Sequence, residues 1–276
     1  VVGVAWASLV LARRYPARKG GFLTLGIVVM AAYLFFWKYA SWAVSQLQIP
    51  FPSFLGGKEL SLPLPIGISF FTLQGVAYLV DYWHDEAEYM PLATYLLFKS
   101  FFAQLIAGPI VRARQLLPQI ERLETPKGED ISAGLGLFTL GLYKKLVVAD
   151  GLGPFVDAVF AAPHAHGRWT LLQALCGYTV QIWADFSGYT DMGRGAARML
   201  GIRLPENFLS PYLSRTPSEF WRRWHITLSE WMRDYIYAPL ALSIGGGSVA
   251  QALSAVVVTM GLCGLWHGAQ WHFVLW

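Results

Sequence analysis

The sequence predicts an all-α protein whose helices cross a membrane several times, and two observations support this fold class. The first is composition: 55% of the 276 residues are hydrophobic and only 14% are charged, whereas soluble domains contain about 25% charged residues. A soluble chain of this length needs more polar side chains to cover its surface. The second is the presence of 12 Trp and 13 Tyr residues, because these amphipathic rings concentrate at membrane–water interfaces.

Apolar windows along the chain predict the membrane-spanning helices, each of which takes about 20 residues. Six such windows occur, at residues 22–47, 64–83, 92–111, 133–149, 169–186 and 249–276. The chain begins without Met and both of its ends are apolar. We therefore expect a single membrane domain over residues 1–276 that lacks the N-terminal and C-terminal parts of a longer protein.

The charge of the loops predicts which side of the membrane they face. Residues 13–19 carry four basic side chains and no acidic one, which favours the cytoplasm, whereas the acidic loop 81–91 favours the outside. If the chain starts inside at Arg13 and crosses fully at 22–47, 64–83 and 92–111, the acidic loop would lie inside and the second basic cluster, residues 112–127, would lie outside. This contradicts the charge rule, so one of these segments is expected not to cross. The Pro and Gly residues in 62–72 and 104–111 favour re-entrant segments, because broken backbone at membrane depth requires protein or a water-filled cavity around it.

Residues 187–234 have a composition that suits neither a lipid-facing helix nor a disordered loop. Charged side chains alternate there with Trp, Phe, Tyr and Leu, and Pro205, Pro211 and Pro217 divide the segment. We expect amphipathic helices that lie at the interface or inside the bundle. The net charge of +4 arises from short clusters beside apolar runs, a pattern that does not favour nucleic-acid binding.

His267 is the first candidate catalytic residue, because it lies in the apolar sequence GLWHGAQWHFVLW. An ionisable side chain in such a segment is costly in lipid and usually faces a polar path. The small residues Gly264, Gly268 and Ala269 would let another backbone or a substrate approach the ring. The alternative is a histidine that packs a helix interface, and position alone does not separate the two.

His225 is the second candidate and lies in FWRRWHITLSEWMRDY. Its neutral ring could act as a base, hydrogen-bond to a substrate or anchor the chain. For Arg222, Arg223 and the neighbouring Trp residues we favour anchoring at the interface, with the guanidinium groups meeting lipid headgroups. For His225 itself we favour a function.

Four polar residues near position 200 are weaker candidates. Asp185 and Asn207 suit a hydrophilic substrate path and a helix cap equally well, whereas capping is the favoured role for Ser187 and Asp191. Motifs of zinc proteases, nucleotide-binding loops and serine esterases do not occur. No metal site is expected, since the histidines of the loop APHAHGRW have no further ligands nearby.

Several long motifs identify a family that the chain resembles. WADFSGYTDMGRGAARMLGIRLPENFLSPY, SEFWRRWHITLSEWMRDYIYAPL and GLWHGAQWHFVLW together resemble the membrane-bound O-acyltransferase family, and most closely its alginate O-acetyltransferase branch. LPIGISFFTLQGVAYLVDYW and FFAQLIAGPIVRARQLLPQI resemble the same branch in order and spacing. The D-alanyl transferase of teichoic acid export is a related branch, so the resemblance indicates the family more firmly than the substrate.

The resemblance implies a fold, a reaction and a location. The fold is a ring of transmembrane helices around a thinned central cavity. The reaction moves an acyl group, as acetyl, from a cytoplasmic thioester (acetyl-CoA or an acyl carrier) to hydroxyls of an exported polysaccharide or to a partner protein of that pathway. The location is the bacterial inner membrane, crossed several times, with the lipid bilayer, the polysaccharide and periplasmic acetylation proteins as partners. No tightly bound cofactor is expected.

The resemblance also assigns residues. It implies that His267 in the WHG motif and His225 in the RWH motif are catalytic, and we expect Asn207, Asp185 and Trp266 to bind substrate. A sugar hydroxyl has a pKa far above 7 and needs a base, for which a positioned imidazole contributes about 10²–10⁴-fold. We expect His267 to be this base and His225 to orient a substrate or stabilise the oxyanion, with both rings facing one polar cavity.

Two other functions stay open on the residues alone. A transporter or channel also uses broken helices and buried polar groups, but it predicts inverted repeats, which the sequence does not show. A non-catalytic scaffold for polysaccharide assembly is the second, and it would tolerate the loss of His267. Transfer of D-alanyl or another acyl group to a cell-envelope polymer is the alternative within the family.

Overall fold

The computed structural model describes residues 1–47, 65–105, 108–245 and 247–275, and the regular elements assigned in these ranges are helices. They form two compact units: Val1–Ser100 with Leu228–Trp276, and Phe101–Thr227. The all-α prediction is therefore confirmed for this part of the chain. Parts of both predicted re-entrant segments, residues 62–64 and 106–107, lie outside the described residues, so those segments stay predictions, as do the interfacial placement of helices and the central cavity.

The first unit consists of long apolar helices together with several short ones. Its elements are α1 (Val2–Arg14), α2 (Lys19–Gln46), α3 (Ile68–Trp83), α4 (Leu92–Ser100), α10 (Ile226–Met232, which begins at the end of the other unit), a π-helical turn (Arg233–Tyr237), α11 (Ala238–Ser243), α12 (Val249–His267) and α13 (Trp271–Val274). Helices α1, α2 and α3 pack against one another.

Three helical segments are long and apolar enough to cross a membrane: Pro16–Gln46, Gly128–Ala161 and Val249–His267. They coincide with three of the six predicted windows. The window 92–111 is wrong as a continuous span, because α4 ends at Ser100. Large apolar side chains on α2, such as Leu25 and Phe35, are more than half exposed. Exposed apolar side chains of this size are more favourable in lipid than in water.

The basic turn after α1 and the acidic loop after α3 lie against each other. Lys19 Nζ is 2.5 Å from Asp85 Oδ1 and lies 4.9 Å from the centre of the Tyr82 ring. Arg13 lies 4.4 Å from the centre of the Tyr89 ring. The expectation that loops 13–19 and 81–91 face opposite sides is therefore wrong, since α2 leads away from this end and α3 leads back to it.

The second unit is built on two long helices. Its elements are α5 (Ala113–Glu121), α6 (Gly128–Tyr143), a π-helical segment (Lys144–Ala149), α7 (Asp150–Ala161), α8 (Arg168–Met199) and α9 (Pro217–Trp221). Residues 187–199 belong to α8, so the predicted amphipathic helices begin only after it. Pro211 and Pro217 do start short helical turns, as the fixed φ of proline favours.

Pairs of glycines bring α6 and α8 into backbone contact. Gly134 and Gly141 on α6, seven residues apart, meet Gly195 and Gly188 on α8. A Cβ atom at Gly188 would lie 2.7 Å from the Gly141 carbonyl oxygen, and one at Gly195 would lie 2.6 Å from that of Gly134. Residues at i and i+7 share a helix face, so the close approach of the two helices requires glycine at these positions.

Gly188→Val is expected to lower the thermal stability of the protein strongly. The added side chain would collide with the backbone of α6, which cannot move aside by changing a rotamer as a side chain can. Overpacking of this kind costs about 1–3 kcal/mol or more. Thermal unfolding in detergent measures the effect. The matched control is Gly136→Val on α6, where nothing lies within 4 Å of an added Cβ. Equal stability of the two variants would contradict the glycine contact.

Candidate functional site

His225 is held by the pairing of two short extended stretches in the second unit. The Leu209 backbone N–H donates to the Arg223 carbonyl (2.9 Å), and the Ile226 N–H donates to the Asn207 carbonyl (3.0 Å). His225 lies between these bonds, directly before α10, and its side chain is 2% exposed. Its φ is +41°, a conformation that costs free energy for residues other than Gly and often marks functional sites.

A chain of hydrogen bonds ends on the imidazole. The Ile110 N–H donates to Thr227 Oγ1 (2.9 Å), and Thr227 Oγ1 donates to Asn207 Oδ1 (2.9 Å). Asn207 Oδ1 also accepts from the Thr227 N–H (3.1 Å) and lies 3.1 Å from His225 Nδ1. Asn207 is 0% exposed. Ile110, from the Pro- and Gly-containing segment 104–111, therefore contributes its backbone N–H to this polar cluster.

This chain determines which nitrogen of His225 carries the proton in the neutral ring. A backbone N–H can only donate, so the atom of Asn207 that faces Thr227 N is the carbonyl oxygen. That oxygen can only accept, so His225 Nδ1 must be protonated to bond with it. The neutral imidazole then has its lone pair on Nε2, where it can accept a proton.

Aromatic rings pack around the imidazole of His225. The Phe186 ring centre lies 4.7 Å from that of His225, nearly perpendicular to it, and the Phe208 ring lies 6.4 Å away. Phe208 packs against Trp224 at 5.0 Å. The ring thus has one fixed orientation in apolar surroundings, which lower the local dielectric and strengthen polar contacts.

The acidic residues of α8 pair with lysines of the π-helical segment between α6 and α7. Asp185 Oδ1 lies 2.6 Å from Lys145 Nζ, and Asp191 Oδ2 lies 2.6 Å from Lys144 Nζ. Ser187 and Asp191 are buried in the middle of α8, so their predicted role as caps is wrong. Asp185 is exposed and its predicted role in substrate binding stays a prediction.

His267 is the last residue of α12 in the first unit, directly before a break in the helix. Two side chains of α2 bind the carbonyls that the helix end leaves without partners: Lys38 Nζ donates to the Trp266 carbonyl, and the Tyr39 hydroxyl donates to the Leu265 carbonyl. A cation and a hydroxyl are suitable partners for a helix C-terminus. The His267 side chain is exposed.

The chain turns at Gly268 and continues into α13, which is attached to α2. Trp271 Nε1 donates to Gln46 Oε1 (3.0 Å), and the Trp271 ring packs on Trp42 at 5.3 Å. The Phe273 ring lies 6.3 Å from His267, nearly parallel to it. A Cβ atom at Gly268 would collide with Phe273, so the glycine next to His267 is required by close packing.

Trp266 lies beside His267, with 4.9 Å between the ring centres, and its other neighbour is Phe70 at 6.1 Å. Its indole N–H is buried and has no acceptor among the described residues. That donor supports the expectation that Trp266 binds substrate, which stays a prediction.

The structure thus brings together two of the predicted site residues, His225 and Asn207, and separately Trp266 and His267. The two histidines belong to different units, so the shared cavity stays a prediction. Sequence reasoning did not single out Thr227, Lys38 or Tyr39 as site residues. A lysine within an apolar helix was the available signal for Lys38. Among the described residues, no group of three potential metal ligands occurs, and the chemistry available is that of imidazoles beside amide and hydroxyl groups.

Comparisons with known proteins identify the family of the chain. The model of the membrane-bound O-acyltransferase family, MBOAT, matches residues 67–276. "Probable alginate O-acetylase AlgI" of Azotobacter vinelandii is 41% identical over 263 residues, which are 92% of this chain and 51% of that protein. "Peptidoglycan O-acetyltransferase" of Helicobacter pylori is 34% identical over 94% of this chain and 54% of its own length. "Teichoic acid D-alanyltransferase" of Bacillus subtilis is 28% identical over 76% and 55%. The chain spans about half the length of these relatives.

Proposed function

Because the chain belongs to the membrane-bound O-acyltransferase family, we propose that the protein transfers an acetyl group from a thioester donor to hydroxyl groups of an exported cell-envelope polysaccharide. The observation that carries the proposal is the hydrogen bond from His225 Nδ1 to Asn207 Oδ1, which leaves the Nε2 lone pair of a buried, oriented imidazole as a proton acceptor. General-base catalysis of attack by a hydroxyl requires such a group.

In the proposed reaction, the acceptor hydroxyl donates its proton to an imidazole and attacks the thioester carbonyl. The tetrahedral intermediate then expels the thiolate, which takes up the proton. The tautomer of His225 supports the role of proton acceptor better than the oxyanion role expected from the sequence, since neutral Nε2 has no proton to donate. His267, at the break between α12 and α13, is proposed as the second catalytic residue, and Trp266 as a substrate contact.

Acetyl is proposed as the group transferred because the relatives named for O-acetyl transfer are 41% and 34% identical to this chain, whereas the one named for D-alanyl transfer is 28% identical. We place the protein in the bacterial inner membrane with several crossings, acting with periplasmic partner proteins and a cytoplasmic donor such as acetyl-CoA or an acyl carrier. Acetyl content of the exported polysaccharide, compared between a deletion strain and one complemented with the full-length gene, tests the proposal. Equal acetylation in the two strains would refute it.

Asn207→Leu is expected to lower kcat by about 10-fold to 10⁴-fold with little change in KM, because Asn207 acts as a positioning residue through His225. Loss of the partner that fixes a catalytic tautomer costs up to about 10⁴-fold in serine proteases. Steady-state kinetics of the purified protein measures the split between kcat and KM.

The matched variant is Asn207→Asp, in which a carboxylate oxygen can still accept from His225 Nδ1 and from Thr227. It should retain most of the wild-type rate. A purely structural role would affect both variants through stability and not through kcat, so equal kcat values of the folded Leu variant and wild type would contradict the positioning role.

A further inference from the structure

A small cavity inside the second unit is lined largely by guanidinium groups. Its volume is about 180 Å³, and its lining residues are Leu137 of α6, Arg194 and Arg198 of α8, and Arg203 and Leu204 of the segment after α8. Three positive side chains around one cavity repel each other unless negative charge lies nearby.

The carboxylates around this arginine cavity are shared among several cations. Asp130 Oδ1 serves both Arg198 (3.5 Å) and Arg203 (3.2 Å). Arg194 reaches Asp191 at 3.3 Å and Glu206 at 3.0 Å, but Asp191 also pairs with a fourth cation at 2.6 Å, which is Lys144. Counted with Lys144, which does not line the cavity, four cations share these three carboxylates, and Asp130 and Asp191 are each shared by two cations.

The arginines also have donors that the protein does not use. The Nε–H group of Arg194 is buried and has no hydrogen-bond acceptor among the described residues. The Nε atom of Arg198 is also buried, and it lies 3.5 Å from Asp130 Oδ1 without forming a hydrogen bond. The side chain of Arg194 is only 16% exposed, so water can supply few of the missing acceptors. A buried donor without a partner costs free energy, and an anion in the cavity would remove that cost.

We propose that the arginine cavity binds a phosphate group. The guanidinium group is planar and presents paired N–H donors that match the oxygens of phosphate. Several oxygens on one phosphorus can accept from more than one arginine at once, and the negative charge reduces the repulsion between the arginines. A neutral ligand of the same size would do neither.

The cavity adjoins the segment that holds His225. Arg203 and Leu204 line the cavity, Glu206 of the same segment pairs with Arg194, and the next residue, Asn207, bonds to the imidazole. A phosphate bound there would be anchored near the proposed catalytic ring. The phosphate would belong either to a phosphate-bearing thioester donor or to an anionic lipid headgroup. The first source rests on the proposed function, and the second is independent of it.

Binding of two probes to the full-length protein in nanodiscs tests the proposal without any turnover. Coenzyme A, which carries phosphates and no acyl group, is titrated calorimetrically into protein in zwitterionic lipid. In a second arm, the thermal midpoint is compared between zwitterionic nanodiscs and nanodiscs that contain phosphatidylglycerol. The variants are Arg198→Gln and Arg203→Gln, and the matched control is Arg168→Gln, at the other end of α8 and roughly 45 Å away at about 1.5 Å per residue.

We expect wild type and Arg168→Gln to respond equally to at least one probe. Both cavity variants should bind that probe at least about tenfold more weakly, because each loses a charge-assisted hydrogen bond. A response to coenzyme A alone identifies the donor as the source of the phosphate, and a response to phosphatidylglycerol alone identifies lipid. If Arg198→Gln does not fold, Arg203→Gln, whose side chain is 73% exposed, decides the outcome.

Absence of any response in wild type, or cavity variants that respond as Arg168→Gln does, would overturn the phosphate site. These results are independent of acyl transfer. A protein that binds coenzyme A through the arginine cavity but acetylates nothing would refute the proposed function and leave this inference intact.

Discussion

His225→Asn is expected to reduce acetyl transfer by about 10²–10⁴-fold, which is the contribution that a positioned imidazole typically makes as a base. The variant is designed to preserve the fold. Asn adopts left-handed backbone conformations more readily than most residues, as the φ of +41° at this position requires. Its side-chain amide can still donate towards Asn207 Oδ1. His225→Ala would lose the same base but add backbone strain and a buried cavity.

The acetyl content of the exported polysaccharide at matched protein levels measures this effect. His164→Asn is the control, because His164 is exposed in the turn between α7 and α8 and contacts neither the network nor the arginine cavity in the described residues. If His225→Asn acetylated at the normal rate while Trp224→Ala unfolded the protein, the RWH motif would be a structural anchor and not part of the active site.

Composition identified helices that are long and apolar enough to cross a membrane, because a spanning helix must be apolar over about 20 residues regardless of its neighbours. Helix α2 was predicted at 22–47 and found at Lys19–Gln46. Helix α8 was predicted to end near residue 186 and extends to Met199. Its second half contains Asp191 and Arg194, and charged residues end an apolar window. In the structure, Asp191 forms ion pairs with both Arg194 and Lys144. Such pairing is a tertiary property that a window along the sequence does not contain.

The site was predicted as individual residues and not as contacts. His225 and Asn207 were singled out because each is a polar residue in an aromatic or apolar setting. Their hydrogen bond depends on the pairing of residues 207–209 with residues 223–226, which follows from loop geometry. Likewise, the contact of Lys38 with the helix end at Trp266 joins residues 228 positions apart, a separation at which spacing carries no information about contact.

The end of α12 is held by contacts to backbone carbonyls that do not involve the His267 ring, and this makes the residue suitable for a decisive test. The end of α12 is held by Lys38 and Tyr39, which bond to backbone carbonyls that any residue at position 267 leaves in place. The following helix, α13, is attached to α2 through Trp271. Replacement of the imidazole therefore removes a polar group at the helix break and its ring contacts with Trp266 and Phe273, but leaves the bonds of Lys38, Tyr39 and Trp271 in place.

His267→Ala is accordingly expected to abolish acetyl transfer while the protein remains inserted and folded. The reason is energetic: an ionisable ring in a segment of this hydropathy is costly in a membrane unless polar surroundings receive it, and a transporter or scaffold does not require a base there. Acetylation of the polysaccharide and export of the polymer are measured together, since an enzyme loses only the first and a transporter would lose the second. His272→Ala, an exposed histidine five positions further on in α13, is the matched control and should acetylate normally. Normal acetylation by His267→Ala at wild-type protein levels would remove His267 from the catalytic assignment and leave His225 as the remaining catalytic histidine.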